Sequence, residues 1–362
     1  MNNYIDMFRN SEMARQLGET LKNYQGKPVT IMEVCGTHTM AIFRYGIRSL
    51  LPENIRLISG PGCPVCVTPA FYLNAALELT KEKDVILTTF GDMMRVPGSR
   101  SSLMQEKARG ADVRMVYSPL DALKIAEENL DKKVVFLSIG FETTTPVCAL
   151  AVTNAKKQGL KNFSILSANK TMPEALKLLA VDKDIGVNGY LYPGHVSAIL
   201  GTSLYEELAK DYGISGVVTG FEPLDMLSAI ITLARNIQNG KTVLENQYSR
   251  VVSREGNPLA LEKIYEVFEP SDAVWRGIGE IPNSGLAVRK EYQDYDAWKV
   301  FDIKLDTTGE PKGCLCGEVL KGKKTPKDCK LFNKACTPEN PVGSCMVSSE
   351  GTCAAYYKYG EE

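Results

Sequence analysis

Short apolar, β-branched runs alternate with amphipathic helical patterns over residues 25–240. Such alternation is typical of parallel α/β layers. The predicted strands cover residues 29–34, 55–59, 85–89, 113–117, 134–139, 163–166 and 216–219. The predicted helices between them cover residues 70–79, 120–128, 147–157, 173–179 and 224–237. The pattern therefore predicts an α/β fold with two parallel-sheet α/β domains and a smaller, irregular cysteine-rich region.

The same pattern divides the chain into segments. A helix is predicted at about residues 9–23, the first sheet ends near residue 118, and a second sheet covers about residues 130–240. Beyond residue 240 the pattern is less regular. The four predicted segments are an N-terminal helical segment at residues 1–24, a first α/β domain at 25–118, a second at 119–240 and a C-terminal region at 241–362.

Motifs with chemically active residues follow the predicted strands. Open parallel sheets bind ligands at the carboxyl ends of their strands. The motifs are CGTH at residues 35–38, GPGCPVC at 60–66, GDMMRVPG at 91–98, GFETT at 140–144 and GFEP at 220–223. This edge of the sheets is therefore the predicted place for a functional site.

Cys63 and Cys66 form a Cys-x-x-Cys motif between a strand and a helix. A helix N-terminus lowers the pKa of a thiol, which favours dithiol–disulfide redox chemistry. A metal half-site and inert packing are the alternatives. The motif predicts a redox pair.

Cys35 and His38 place a thiol and an imidazole three residues apart. The pair can ligate a metal, or the imidazole can activate the thiol; a buried cysteine with a capping threonine is the alternative. The chain has only two histidines, and the other, His195, lies in a Gly/Pro turn before a helical pattern. Glu142 also opens a helical pattern, either as a cap or as a site residue.

Six of the ten cysteines lie from residue 314 onwards, in a stretch rich in Gly and Pro without histidine. They are Cys314, Cys316, Cys329, Cys336, Cys345 and Cys353. Thiolates from one loop-rich region are the ligands of an iron–sulfur cluster of the [4Fe-4S] type. Zinc is the first alternative, although this stretch has no Cys-x-x-Cys knuckle, and structural disulfides are the second.

Charge and hydropathy exclude several classes of protein. The 42 Lys and Arg balance 43 Asp and Glu, so no basic footprint predicts a nucleic-acid partner. No apolar run reaches the ~18 residues of a membrane span. The chain begins without the basic and apolar regions of an export signal, which predicts a cytoplasmic protein. Its balanced surface gives no oligomer signal, so we expect a monomer when free.

Five motifs occur in a fixed order along the chain. They are CGTH at residues 35–38, GPGCPVC at 60–66, GFETT at 140–144, PGHVS at 193–197 and PVGSCMVSSEGTC at 341–353. Together they resemble the HypD family of hydrogenase maturation factors, over about residues 5–359. The resemblance implies a scaffold on which the Fe(CN)2(CO) moiety of nickel–iron hydrogenases is transiently held and assembled. It also implies two partners, the small chaperone HypC and the cyanide donor HypE.

The resemblance also implies roles for individual residues. Cys35 is expected as the iron ligand with His38 beside it, and Cys63 and Cys66 as the redox pair that receives electrons from the cluster. His195 and Glu142 complete the catalytic set. The implied [4Fe-4S] ligands are Cys314, Cys329, Cys336 and Cys353, with Cys316 and then Cys345 as alternates for the place of Cys314.

These expectations describe a redox-active assembly scaffold rather than a conventional turnover enzyme. Two other functions remain open. One is an iron–sulfur scaffold that binds partners without catalysis, and the other is a general cluster-dependent disulfide reductase.

Overall fold

The computed structural model describes residues 7–304 and 310–360. Its strands are β1 (Val29–Glu33), β2 (Ile55–Ser59), β3 (Val85–Thr89), β4 (Val113–Met115), β5 (Lys133–Ser138), β6 (Phe163–Ser167), β7 (Gly189–Pro193), β8 (Ser215–Thr219), β9 (Leu244–Asn246), β10 (Phe268–Trp275) and β11 (Gly279–Val288).

The α-helices lie mainly between these strands. They are α1 (Ser11–Lys22), α2 (Gly36–Arg44), α3 (Pro64–Val67), α4 (Ala70–Leu79), α5 (Leu103–Ala108), α6 (Pro119–Glu128), α7 (Thr145–Gln158), α8 (Met172–Ala180), α9 (Gly194–Leu200), α10 (Ser203–Tyr212), α11 (Pro223–Gln238), α12 (Pro258–Val267), α13 (Ala297–Val300), α14 (Cys316–Leu320) and α15 (Thr352–Tyr359). Short 3-10 helices cover Ile47–Leu50, Gly91–Arg95, Lys290–Tyr295, Pro326–Asp328 and Ser344–Met346.

The first sheet is fully parallel and has the strand order β2-β1-β7-β8-β9. Both of its faces are buried. Ile31 packs with Leu191 on the face covered by α1, α2 and α11, whereas the next residue, Met32, packs with Tyr190 on the opposite face. This alternation explains why the strands are apolar at successive positions, because no face is left for water.

The second sheet repeats the arrangement with the order β4-β3-β5-β6, again fully parallel. In both sheets the chain first moves one way from the starting strand and then crosses to its other side. The two reversal points lie between β1 and β7 and between β3 and β5. Open α/β sheets have their ligand crevices at such points.

The strands are distributed between the sheets differently from the prediction. The expectation that one sheet ends near residue 118 and a second covers residues 130–240 is wrong. The chain leaves the first sheet after β2, builds the whole second sheet from β3 to β6, and returns with β7. Strands buried on both faces carry no signal that identifies their partners, and neighbours in sequence are the default expectation.

The four predicted segments remain predictions, since sheet membership alone does not define domains. Residues 1–6, with the chain start on which the cytoplasmic prediction rests, lie outside the described residues, as do 305–309 and 361–362. The helix predicted at residues 9–23 is confirmed as α1. The α/β class is also confirmed, with the addition of a small antiparallel sheet of β10 and β11.

The sequence pattern missed β7 and the β10–β11 hairpin. β7 begins with Gly189 and ends with Pro193, and both residue types normally indicate a turn. β10 contains Pro270 and alternates irregularly between exposed and buried positions, which hides the period of two on which strand prediction depends.

The cysteine-rich tail packs onto the first sheet. Cys316, Leu320 and Cys345 belong to the same buried cluster as Met32 of β1. The last helix, α15, lies against α2, where the Phe43 and Tyr356 ring centroids are 4.5 Å apart. Among the described residues, no helix has the length and apolar character needed to cross a bilayer.

Gly62→Ala tests how tightly the β2 loop packs on the β1 loop. A Cβ at position 62 would overlap the backbone nitrogen and Cα of Cys35, so the substitution should lower the free energy of unfolding by roughly 1–3 kcal/mol. Urea unfolding measures the effect. Gly91→Ala is the control, because its Cβ would meet only the flexible side chain of Met115. Equal stability of the two variants would contradict the packing described.

Candidate functional site at the carboxyl edge of the first sheet

Cys35 and His195 meet at the reversal point of the first sheet. Cys35 lies two residues beyond β1, as the N-cap of α2, and His195 is the second residue of α9, directly after β7. Because β1 and β7 are neighbouring parallel strands, their carboxyl ends reach the same edge. The Cys35 Sγ and the His195 Nε2 are 3.9 Å apart.

His38 and His195 both lie next to the Phe221 ring. The ring centroid of Phe221 is 4.9 Å from that of His38 and 5.1 Å from that of His195. The Nε2 of His38 donates to the carbonyl of Gly220 at 2.9 Å, and its Nδ1 has no hydrogen-bond partner within residues 7–304 and 310–360. This tautomer leaves the Nδ1 lone pair free to accept a proton or bind a metal.

Burial keeps both imidazoles neutral. Desolvation lowers the pKa of His38 to about 4, and it lowers the pKa of His195 to the same value. The thiol of Cys35 is also neutral, because burial first and then the charge of Glu350 raise its pKa to about 12. The three predicted residues thus form a compact group without net charge.

The tail closes this group through Glu350. Thr37 Oγ1 donates to Glu350 Oε1 at 2.6 Å, and a Cβ at Gly36 would overlap the Glu350 backbone carbonyl. Neither Glu350 nor Phe221 is among the predicted site residues. Both lie in motifs quoted from the sequence, but only the fold brings the tail to α2.

Cys63 and Cys66 form a disulfide with a Cα–Cα distance of 5.2 Å. Cys63 is the N-cap of α3, and its Sγ accepts a hydrogen bond from the backbone N–H of Cys66 at 3.2 Å. The N–H of Gly36 donates to the carbonyl of Gly62 at 3.1 Å. The disulfide and the Cys35 thiol therefore lie on adjacent, hydrogen-bonded loops.

The disulfide also contacts the tail. Ser344 Oγ donates to the carbonyl of Cys66 at 3.1 Å. Cys316 and Cys345 belong to the same buried cluster as Cys63 and Cys66. The disulfide is thus packed between the Cys35 loop and the tail cysteines.

All six tail cysteines line one small cavity. Cys316 and Cys345 are buried and face each other, with their Sγ atoms 2.6 Å apart. Cys316 is also hydrogen-bonded to Cys314, and Cys345 to Cys353, so these contacts do not select four of the six thiols. The other four cysteines of the cavity complete the group. Those four are Cys314, Cys329, Cys336 and Cys353, the set that the resemblance implies as cluster ligands.

The cavity has the chemistry of a polynuclear thiolate site. Its other walls are mainly apolar, including Val319, Phe332 and Met346, and the backbone N–H of Val342 donates to Cys336 Sγ at 3.3 Å. Soft thiols in an apolar, loop-rich setting suit an iron–sulfur cluster. Within the described chain, no group of three or more Cys, His, Asp or Glu residues is arranged to hold a single metal ion.

Arg276 adds a positive charge beside the tail cysteines and was not predicted. Hydrogen bonds from Cys314 and Cys345 lower the pKa of the Cys316 thiol, and the guanidinium of Arg276 lowers it further. The side chain is buried and its Nε donates to the carbonyl of Thr68 at 2.8 Å. Arg276 therefore links the loop after α3 to the tail.

Glu142 lies beyond the carboxyl end of β5 in the second sheet. Its Oε1 accepts the backbone N–H of Met172 at 2.8 Å, so it caps α8 rather than the helix that it precedes. Its Oε2 has no partner among the described residues. No recorded hydrogen bond joins Glu142 to the group of Cys35, His38 and His195 within the described chain.

Burial raises the pKa of Glu142 to about 7 from 4.5. The stability that this carboxyl contributes is therefore full below pH 4.5 and is lost as the pH rises through 7, where the folded protein must bury its charge. We expect Glu142→Gln to be more stable than the parent protein at pH 8 by about 3 kcal/mol, with the difference vanishing near pH 4.5.

Urea unfolding of both proteins between pH 4.5 and 8 measures this difference, with the exposed Glu53→Gln as the control. A difference between the parent protein and Glu142→Gln that does not change with pH would show that the carboxyl is not buried as described.

Comparisons with known proteins identify the family of this chain. A family model named HypD, described as "Hydrogenase formation hypA family", matches residues 11–360. The chain is 47% identical to hydrogenase maturation factor HypD2 of Bradyrhizobium diazoefficiens and 47% identical to HypD of Cupriavidus necator, in each case over 99% of this chain and 97% of the relative. It is 44% identical to HypD of Escherichia coli, over 99% of this chain and 98% of that protein. The chain belongs to the HypD family.

Proposed function

We propose that this protein serves in the maturation of nickel–iron hydrogenases, as a redox-active scaffold on which the Fe(CN)2(CO) moiety is assembled. One observation carries the proposal beyond family membership. A buried thiol, two neutral imidazoles and a disulfide occupy two adjacent loops at the reversal point of the first sheet. This combination of a soft ligand and a two-electron redox pair suits the assembly of a metal centre.

Cys35 holds the iron cargo. Soft thiolate is the ligand type that iron carrying cyanide and carbon monoxide prefers among the side chains at this edge. The thiol must lose its proton on binding, and the His195 Nε2 at 3.9 Å is the nearest recorded acceptor. The positive charge of the iron offsets the free-energy cost of burying a thiolate. Without the iron, this cost raises the pKa of the Cys35 thiol to about 12.

Cys63 and Cys66 hold or release two electrons. Reduction of their disulfide consumes two electrons and two protons and leaves two thiols beside the Cys35 loop. Cys314, Cys329, Cys336 and Cys353 would hold a [4Fe-4S] cluster, which would supply electrons one at a time. The hydrogen bond from Ser344 Oγ to the Cys66 carbonyl orients the disulfide against the tail.

His38 and Glu142 have supporting roles in this scheme. His38 keeps its Nδ1 lone pair toward the buried interior beside Phe221, where it can receive a proton or contact the cargo. Glu142 has a pKa near 7, suited to proton exchange at neutral pH. Its carboxylate accepts the backbone N–H of Met172 at the start of α8, and within the described residues no hydrogen bond joins it to Cys35.

The partners remain those that the family implies. A HypC-type chaperone supplies a second ligand to the iron, and a HypE-type donor delivers cyanide. Eight thiols outside the Cys63–Cys66 disulfide suit a reducing, cytoplasmic location. The balanced surface charge suits a protein that is monomeric when free. The burial of Cys63 at 3% and Cys66 at 0% exposure argues against a general disulfide reductase, which must present its attacking sulfur to large substrates.

Iron and sulfide analysis of anaerobically purified protein tests the cluster site. We expect about four irons and four sulfides per chain, both lost in Cys353→Ser. Cys148→Ser is the matched control, because Cys148 is buried in the second sheet, away from the tail. Zinc in place of iron, or iron retained in Cys353→Ser, would refute this ligand set.

Infrared spectra of protein co-produced with the maturation partners test the assembly role. We expect cyanide and carbonyl stretches that vanish in Cys35→Ala while the cluster iron stays. Cys63→Ala should keep the cluster and partner binding but abolish maturation. Maturation that continues in Cys63→Ala would support the scaffold without catalysis instead.

A further inference from the structure

Lys170 is a buried cation without an anionic partner. The residue is only 4% exposed. Its ammonium makes no recorded salt bridge or hydrogen bond within residues 7–304 and 310–360. Its one recorded contact is the Trp275 ring, with Nζ 5.8 Å from the centroid. An unpaired buried ammonium costs free energy unless something else compensates it.

Lys170 lines an open cleft of about 300 Å³ at the carboxyl end of β6. The cleft lies between the loop after β6, the β10–β11 hairpin, the start of α4 and the region of α13. It is therefore at the ligand-binding edge of the second sheet. The residues that hold the disulfide and the Cys35 thiol do not line it.

The other polar side chains of the cleft floor are used by the framework. Ser167 Oγ donates to the carbonyl of Leu286 at 3.1 Å, and Trp298 Nε1 donates to the carbonyl of Ser167 at 2.9 Å. The Asn169 amide donates to Thr145 Oγ1 at 3.0 Å. Of the described residues lining the cleft, Lys170 is the only Lys or Arg. Its ammonium is thus the donor that the cleft offers to a ligand.

The remaining walls restrict the ligand. Phe71, Tyr72 and Trp298 supply aromatic surface. Asp272 and Glu280 are exposed at the rim, and the buried Asp296, whose Oδ1 accepts the backbone N–H of Trp298, also lines the cleft. One cation with acidic neighbours suits a single negative charge and disfavours polyphosphates through like-charge repulsion. The aromatic walls favour an apolar body attached to that charge.

We infer that this cleft binds a small organic monocarboxylate, whose carboxylate pairs with the Lys170 ammonium and whose apolar part lies against Tyr72 and Trp298. Burial alone lowers the pKa of Lys170 to about 8, so the ammonium form still predominates at neutral pH. The site is separate from the proposed iron-assembly site and does not depend on it.

Tryptophan fluorescence can be used to detect ligand binding in this cleft. Its only two tryptophans are Trp298, which lines the cleft, and Trp275, which contacts Lys170. Titration of the full-length, anaerobically purified protein with benzoate should produce a saturable change in tryptophan fluorescence, with matching heat in calorimetry. Benzyl alcohol, which lacks the charge, and inorganic phosphate, which lacks the apolar body, should bind more weakly than benzoate.

Lys170→Met should weaken benzoate binding about ten-fold or more, with iron content unchanged. Its melting temperature should equal or exceed that of the parent protein, because an unpaired buried charge is removed. Val274→Glu, at an exposed position of the same cleft, should also weaken binding without touching the core. The exposed Lys161→Met is the matched control and should bind benzoate normally.

Absence of saturable benzoate binding, equal binding by Lys170→Met, or tighter binding of phosphate would overturn the proposal. A large fall in the melting temperature of Lys170→Met would do the same if Val274→Glu bound benzoate normally, because Lys170 would then serve packing. Iron content measures the cluster independently of benzoate binding. A failure of the carboxylate-site proposal would therefore leave the proposed assembly function unaffected.

Discussion

The parallel pairing of β1 with β7 is the contact on which the rest of the structure depends. It pairs residues such as Ile31 and Gly189. In sequence, all four strands of the second sheet lie between these two residues. Cys35 and His195, 160 positions apart in sequence, are neighbours only because these two strands end side by side. The same pairing creates the reversal point at which open α/β sheets place their ligands.

Close backbone contacts then add the other components to this edge. Gly62 and Gly36 leave no room for a Cβ, so the disulfide loop and the Glu350 segment both rest on the backbone around Cys35. The result is a site whose groups are neutral: two imidazoles with a pKa near 4 and a thiol with a pKa near 12. Such neutral nitrogen and sulfur groups are good ligands for a soft metal cation.

The sequence predicts the parts of this site better than their assembly. Cys35, His38, Cys63, Cys66 and His195 follow strands and could be found because reactive residues beside Gly and Pro at strand ends are unusual in a buried sheet. The six tail cysteines were also recognisable from composition alone. Local pattern identifies such residues because their signal lies within a few positions.

Long-range placement was beyond the sequence pattern. Glu350 reaches Thr37 only through the docking of the tail, and Glu142, grouped with the catalytic residues by its motif, caps α8, which packs against Tyr190 of the first sheet. Lys170 gave no signal at all, since a single lysine after a short strand normally points to water. The strand partners of β1 were hidden for the same reason, because both faces of every central strand are equally apolar.

The insertion of the second sheet into the first has a consequence for biosynthesis. At about 5–20 residues per second, the ribosome needs on the order of ten seconds to pass from Cys66 to His195. During that interval β1 and β2 lack β7, while β3 to β6 can already close their own sheet. The nascent thiols of Cys35, Cys63 and Cys66 therefore stay open to solvent and oxidants until the chain returns. The order of synthesis thus makes the Cys35 loop one of the last parts of the molecule to be shielded.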